Sequence, residues 1–476
     1  MKRRPNILML FTDQQRWDTI SALGNQEIQT PALDALSRES VVFTRCYTPS
    51  PVCIPARFSL FSGQYPGRCG CSNNNGGYRY GGEGFYHEFT RRGYRSCCIG
   101  KMHHAKDPYG PMGFEKRLVQ EELSDPRDDY TRFLLGSPYK NVFDYNGMRS
   151  EMYYIPQISQ LPAEFHPTQW VGDRSVEFIE ECGGDRPFFL MASFIHPHPP
   201  FAPPSPWNKL YRAQGRPAYM PPNVEEFRDF LSDRFTCEKL GVSPQDLTLL
   251  KNYYYACVSF VDYQIGRILA ALRERGMADD TVVVFTSDHG EMLGDFGTLG
   301  KRSMLDASVR VPLLIRLPGG EGTLREDVSS LVDLPPTLLR LAGLDYDGTE
   351  YDGLDLFSGA EREVVFSQYS TGPNGVYMAA SSRDKLIYHR PSRRYYYYDT
   401  IPEETNRYRA DDPRIQALQR QLERYMAADA CDSAQSGSLD EVSGVSRLPY
   451  GPQRVDHRMR RQEELARMPQ GYTLDL

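Results

Sequence analysis

The chain has 476 residues, 40% of them hydrophobic and 25% charged, which is enough for a large α/β domain with appendages or for two or three units. Lys plus Arg number 55 against 62 Asp plus Glu, and the net charge of −7 gives no electrostatic reason to expect a nucleic acid or a membrane surface as partner. No stretch approaches a membrane span in length.

The N-terminal stretch MKRRPNILMLFTDQQRWD sets basic residues before an apolar run, as a secretory leader does. The run from Ile7 to Phe11 is too short for that role, Asp13 ends it, and no small-residue cleavage site follows. The chain is therefore expected in the cytoplasm, with its ten cysteines as reduced thiols; neither Cys69 and Cys71 nor the adjacent Cys97 and Cys98 has the spacing of a CxxC zinc site.

Short apolar runs recur along the chain: NILMLF at 6–11, SCCIG at 96–100, PFFLMASF at 187–194, TVVVFTS at 281–287 and VPLLIRL at 311–317. Separated by helix-length stretches, they predict a mixed, mostly parallel sheet buried on both faces and flanked by helices. Between the first two lies PSPVCIPARFSLFSG, residues 49–63, which reads as a short helix with Pro55 in its first turn and Gly63 at its end. Cys53 falls at the N-terminus, where free N–H groups and the helix dipole favour an anion. Residues 105–165 and 199–245 are rich in Pro, Tyr and charge, weakly periodic, and read as loop insertions that shape a pocket. VSFVDYQIGRILAALRERG, 258–276, has helical spacing with Gly276 as a stop, and VSSLVDLPPTLLRLAGL, 328–344, predicts a helix begun near its prolines and closed by Gly343.

After about residue 355, EVVFSQYS, VYMAASS and KLIYHR alternate like strands of a small antiparallel sheet, and PRIQALQRQLERYMA reads as a helix. The expected division is a catalytic α/β domain over 1–355, a small C-terminal α+β subdomain over 356–430, and an arm or tail over 431–476. The apolar and aromatic residues of LPYGP and MPQGYTLDL suggest that the tail is ordered, at a homo-oligomer contact or a substrate entrance.

Asp13 and Gln14 follow the first apolar run, and Asp288 and His289 follow TVVVF. In a parallel sheet both pairs emerge at carboxyl ends of strands, where ligands of open α/β proteins gather, so four donors from distant parts of the chain can meet around one divalent cation. Carboxylate and amide oxygens suit Ca²⁺ or Mg²⁺, and an imidazole admits Mn²⁺ or Zn²⁺. Each pair alone is equally readable as a helix N-cap.

CIPAR, with FTDQQRWD, GKMHHA, HPHPP, SDHGEMLGDFGTLGKRSML and SVRVPLLIRLPG in this order, resembles the formylglycine-dependent sulfatases of the alkaline phosphatase superfamily over most of residues 5–430. The resemblance implies that a maturation enzyme oxidises Cys53 to formylglycine. The hydrated aldehyde then attacks a sulfate ester with one hydroxyl and expels sulfate with the other. It implies catalytic roles for Cys53, Arg57, Lys101, His103, His198 and Lys301: Lys101 and His103 on the formylglycine and sulfate oxygens, His198 and Lys301 at the leaving-group side. The implied ligands of one divalent cation, calcium by resemblance with Mn²⁺ or Mg²⁺ as alternatives, are Asp13, Gln14, Cys53, Asp288 and His289. His104 and His196 are further candidates for the pocket. The implied substrate is a sulfate monoester of a sugar, a small alcohol or an aryl group. Phosphonate monoester or phosphodiester hydrolysis, and a silent metal- and anion-binding role, are the alternatives. Five positions depart from the common pattern. Ala56 stands for Ser, Gln14 for Asp, and His289 for Asn, while Phe296 and Leu305 replace a His and a Tyr, which leaves the substrate preference open.

Overall fold

Asn6–Asp13 is the central strand of the molecule, and its alternate side chains serve two separate cores. In the computed structural model, which describes residues 4–74, 77–78, 83–104, 108–149, 153–212, 218–231, 235–429, 431 and 446–447, all eight residues of this strand are buried. Leu8 and Leu10 face a core built with Trp170, Val171 and Phe178 of helix Pro167–Glu180 and Val261, Ile265 and Ile268 of helix Pro244–Glu274. Ile7, Met9 and Phe11 face the opposite core, with Leu60 and Phe61 of helix Cys53–Ser62 and Leu338 and Leu339 of helix Leu334–Leu341. A strand covered on both faces has no polar side, which is why these runs read as continuous rather than alternating. Each such fully buried side chain contributes about 1.5–3 kcal/mol.

All five apolar runs are strands of one sheet: Asn6–Asp13, Arg95–Gly100, Phe188–Pro197, Thr281–Ser287 and Leu313–Arg316. The strand order is Thr323–Ser330, Val41–Tyr47, Leu313–Arg316, Thr281–Ser287, Asn6–Asp13, Phe188–Pro197, Arg95–Gly100, Lys116–Leu118, with Arg310–Val311 beside Val41–Tyr47. The pairs around Asn6–Asp13 are parallel, and Leu313–Arg316 runs antiparallel to both its neighbours, so the sheet is mixed and mostly parallel as expected. Because Thr12 is in register with Ser287 and Asp13 with Pro197, three strands end together at one edge.

Two expectations change. The long helix begins at Pro244, 14 residues before the apolar pattern starts at Val258, because Ser243 and Asp246 form a capping box and Pro244 occupies the first turn. Its first turns lie at the surface, where nothing imposes apolar spacing. Within 105–165 the chain also forms a strand, Lys116–Leu118, and a helix, Asp129–Leu135, capped by Asp128. Elsewhere the punctuation residues act as read: Gly63, Gly276 and Gly343 all take positive φ at helix ends.

The four-stranded antiparallel sheet Val365–Tyr369, Val376–Ala380, Lys385–His389, Arg394–Tyr398 shares its cores on both sides. Val376, Met378 and Tyr396 pack against Tyr47, Met304 and Leu305 of the main body, while Tyr377, Leu386 and Tyr397 pack against Ile415, Leu418 and Leu422 of helix Pro413–Ala427. The expected arm at 431–476 lies outside the described residues, apart from Cys431 and Ser446–Arg447, whose backbone pairs antiparallel with Gly77–Tyr78. Among the described residues no helix is long and apolar enough to cross a membrane.

Candidate active site

Two strand ends supply the acidic half of the site. Asp13 is the last residue of its strand and Asp288 follows Thr281–Ser287; the N–H of Asp288 donates to Thr12 O at 3.3 Å, and the N–H of Gln14 donates to Asp288 Oδ1 at 3.0 Å. Arg57, one turn into helix Cys53–Ser62 and completely buried, clamps both carboxylates: Nε to Asp288 Oδ2 at 2.8 Å and Nη2 to Asp13 Oδ2 at 3.1 Å. Its Nη1 donates to Lys101 O at 3.1 Å, and the guanidinium lies 4.8 Å from the centre of the Phe11 ring. With both Oδ2 atoms engaged, the two Oδ1 atoms are turned toward Cys53 and His289. Burial opposes the charge on Asp13, yet Lys101 and Arg57 hold its carboxyl well below the usual range.

His289 Nδ1 lies 3.0 Å from Gly290 O, so this nitrogen must donate, and the Nε2 lone pair is left facing Asp288 Oδ1 at 3.6 Å and Asp13 Oδ1 at 3.9 Å. Burial pushes this imidazole down to about 4, which keeps it neutral. Ligand atoms of Asp13, Cys53, Asp288 and His289 all lie within 4.8 Å of one another. Two carboxylates, a neutral imidazole and the nearby Gln14 amide oxygen form a donor set suited to a divalent cation. Gln14 takes φ 67°, and its amide Nε2 donates to Glu291 while its Oε1 accepts from Lys301 at 2.7 Å. Glu291, buried and itself receiving the N–H groups of Leu293 and Gly300, thereby settles which end of the Gln14 amide faces the site.

Cys53 opens helix Cys53–Ser62 at N1 and is 3% exposed. Its Sγ lies 2.8 Å from Lys301 Nζ, 3.2 Å from His289 Nε2 and 3.8 Å from Asp13 Oδ1. Burial, reinforced by Asp13 against the pull of Lys301, pushes the thiol up to about 11. As a thiol it stays protonated at neutral pH and is a poor nucleophile.

The remaining cations come from three further strand ends and loops. Lys101, the residue after Arg95–Gly100, is fully buried and pairs with both Asp13 and Glu122. Lys301 Nζ is also 3.2 Å from His289 Nε2. His198, just past Phe188–Pro197, donates from Nδ1 to Pro199 O at 2.7 Å and presents Nε2 to Tyr153 Oη at 3.5 Å and Glu122 at 3.9 Å. His103 follows Lys101 on the loop after Arg95–Gly100. Its Nε2 is 3.0 Å from Glu121, and its backbone is held at φ 52°.

His104 and His196 are core residues rather than pocket residues. His104 is buried between Phe58 and Phe61, with ring centres 4.5 and 5.0 Å away, and hydrogen-bonds Tyr86. His196 is buried against Thr168 and the His166 ring. Phe296 and Leu305 are likewise buried in the core shared with the small sheet. Sequence reasoning missed Glu121, Glu122, Arg149, Tyr153 and Glu291. The first four lie in the segment read as pocket-shaping, where only the surplus of charge and aromatic residues signalled them.

A family model described as Sulfatase matches residues 5–344. An arylsulfatase of Clostridium perfringens (strain 13 / Type A) is 29% identical over 434 residues, spanning 83% of this chain and 88% of that protein. A choline-sulfatase of Rhizobium meliloti (strain 1021) is 30% identical over 411 residues, 81% of this chain and 78% of the relative. Among solved structures, a phosphonate monoester hydrolase of Agrobacterium radiobacter matches with a TM-score of 0.75 and 26% identity, covering 90% of this chain and 96% of that one.

Proposed function

Since this chain belongs to the sulfatase family of the alkaline phosphatase superfamily and is a sulfuric ester hydrolase, we propose that its nucleophile is formylglycine made from Cys53 and that its substrate is a sulfate monoester of a sugar, a small alcohol or an aryl group. The observation that carries this reading is the place of Cys53: at the head of a buried helix, between the carboxylate pair and Lys301, within 4 Å of Asp13 and of Lys301. A thiol pushed up to about 11 has little reactivity of its own there, whereas an aldehyde hydrate at the same position presents hydroxyls to a cation site on one side and ammonium groups on the other.

Asp13, Gln14, Asp288 and His289 would hold the divalent cation, which polarises the sulfuryl oxygens and acidifies the attacking hydroxyl when bound. We assign calcium on the oxygen majority of that set; manganese is the ion that His289 would favour, and elemental analysis of the purified protein separates the two. Arg57 fixes the two carboxylates so that their Oδ1 atoms stay aimed at the site. Lys101 and Lys301 neutralise charge that gathers on the equatorial oxygens of the sulfuryl group. His198 is held neutral in the free enzyme, chiefly by burial and despite Glu122; an anionic substrate raises its proton affinity and prepares it to protonate the departing oxygen. His103, braced by Glu121, lies two residues after Lys101.

The maturation enzyme must act before the chain closes, because Cys53, Pro55 and Arg57 are all buried once folded. Ten buried cysteines outside any disulfide support a reducing compartment, and the proposed location is the cytoplasm.

Peptide mass spectrometry over Cys53 is expected to find the aldehyde in protein from a maturation-competent host, and Cys53→Ser is expected to lose turnover by orders of magnitude, since a serine adduct has no second hydroxyl with which to expel sulfate. Unmodified thiol in fully active protein overturns the nucleophile. A second reading, phosphonate monoester hydrolysis, is favoured by one observation, the Gln14 and His289 pair at the cation site together with the fold match to a phosphonate monoester hydrolase. The ratio of kcat/KM for an aryl sulfate to that for the matching aryl phosphonate decides between them, and a value above one is expected.

A further inference from the structure

The loop after Lys116–Leu118 delivers a carboxylate to the place where the anionic head of a substrate has to sit. One oxygen of Glu122 is bonded to Lys101 Nζ and lies 3.9 Å from His198 Nε2, and the other is bonded to Arg149. Ligand atoms of Cys53, Glu122 and His198 all lie within 4.8 Å of one another, so this negative charge stands directly beside the nucleophile position. Its backbone is fixed from both sides. The N–H of Glu121 donates to Asp128 Oδ2 at 2.6 Å, and Asn146 Nδ2 donates to Glu122 O at 3.1 Å. Burial opposes ionisation here, but Lys101 and Arg149 together hold the carboxyl well below its usual range.

A carboxylate in a pocket built for anions weakens anion binding, and the chain nevertheless braces it there. Resting on the reading of this site as a sulfuryl pocket, we propose that Glu122 determines charge specificity: it admits the monoanionic sulfate monoester and disfavours dianions, namely the inorganic sulfate product and phosphate monoesters. The physical ground is that Coulomb repulsion from a fixed charge doubles from a monoanion to a dianion, while contacts to the same tetrahedral oxygens change little. The attraction of Lys101 is already divided between Asp13 and Glu122, so the wall of the pocket carries less net positive charge than its lysines suggest. Product sulfate, which gains a charge when the ester bond breaks, is thereby released rather than held.

The test uses two competitive inhibitors of aryl sulfate hydrolysis at pH 7.5: methanesulfonate, a monoanion, and inorganic sulfate, a dianion. In Glu122→Gln the Ki for sulfate is expected to fall by about tenfold and that for methanesulfonate by less than about threefold, from the doubled charge product. Relative kcat/KM for an aryl phosphate over the aryl sulfate should rise in the same variant. A loss of packing would move both inhibitors together and a loss of Lys101 placement would weaken sulfate binding, so equal shifts, or weaker sulfate binding, overturn the proposal. Should Glu122→Gln fail to fold, Arg149→Gln, at a partly exposed side chain, leaves the carboxylate less compensated and is expected to raise the sulfate Ki more than the methanesulfonate Ki; an unchanged ratio there also overturns it. Failure of the functional reading looks different: no sulfate ester is hydrolysed by matured wild-type protein and neither anion binds.

Discussion

Arg57 concentrates several roles in one side chain: it neutralises two buried carboxylates, orients their Oδ1 atoms, and ties the head of helix Cys53–Ser62 to Lys101 O. A lysine has the charge but not the planar fork, and cannot reach Asp13 and Asp288 together. Arg57→Lys is expected to lower kcat by at least about 100-fold and to cost about 3–5 kcal/mol of stability, the range for breaking one side of a buried ion pair. Steady-state kinetics, chemical denaturation and bound-cation content check it, and wild-type cation content at wild-type rate would remove Arg57 from the role of aiming the ligands. Asp13, Asp288, Cys53 and Arg57 were legible because each sits at a recognisable place, a strand end or the first helical turn. Glu122 and Arg149 were not, because they act from a loop without periodicity and meet their partners only across 21 to 27 residues of intervening chain.

At the level of elements, close approach of neighbouring strands places Lys101. Gly100 takes φ +99°, and a Cβ there would meet Ser193 O at 1.9 Å. Gly100→Ala must push Arg95–Gly100 away from Phe188–Pro197 at the point where the chain turns into Lys101. A lower Tm and a reduced kcat/KM are expected together; an active site indifferent to the substitution would mean that Lys101 is positioned by its ion pairs alone. Helix Cys53–Ser62 is set on its other side by His104, which burial pushes down to about 3 from an ordinary 6.5. A histidine with a depressed folded-state pKa contributes stability that is present above about 6.5 and lost as pH falls, because the unfolded chain takes up the proton first. Each pH unit in that window is worth about 1.4 kcal/mol per group. Between pH 6.5 and 5, wild type should therefore lose about 2 kcal/mol more than His104→Phe, measured by denaturant unfolding at the two pH values; parallel losses would show that the fold leaves the proton affinity of this histidine unchanged.

Across the whole molecule, the small antiparallel sheet is bound into the catalytic edge through one buried cation. Lys385 Nζ pairs with Asp306 and Glu403 and donates to Met304 O at 3.2 Å, and the N–H of Asp306 donates to Glu403 at 2.9 Å. Asp306 and Met304 follow Lys301 closely, so the sheet anchors the segment that brings an ammonium to Cys53. Lys385→Met leaves two carboxylates facing each other in a low-dielectric core and is expected to cost about 3–5 kcal/mol, with a raised KM from loosening of residues 301–306. Unfolding measurements and steady-state kinetics on the one variant test both parts, and an unaltered KM in a destabilised protein would confine the cluster to a structural role.

The amino-acid sequence alone determined the mixed sheet, the strand ends that carry Asp13 and Asp288, and the short helix with Cys53 at its N-terminus. These follow from local periodicity, turn chemistry and motif order, all of which are written along the chain. Only the tertiary structure decided that His104 and His196 belong to the core, that His103 turns onto Glu121, that Glu291 orients Gln14, and that the long helix starts at Pro244. Each of those outcomes depends on which distant group desolvates or pairs with a polar side chain. Burial energies and ion pairs are set by position in space, and a residue's neighbours along the chain do not carry that information.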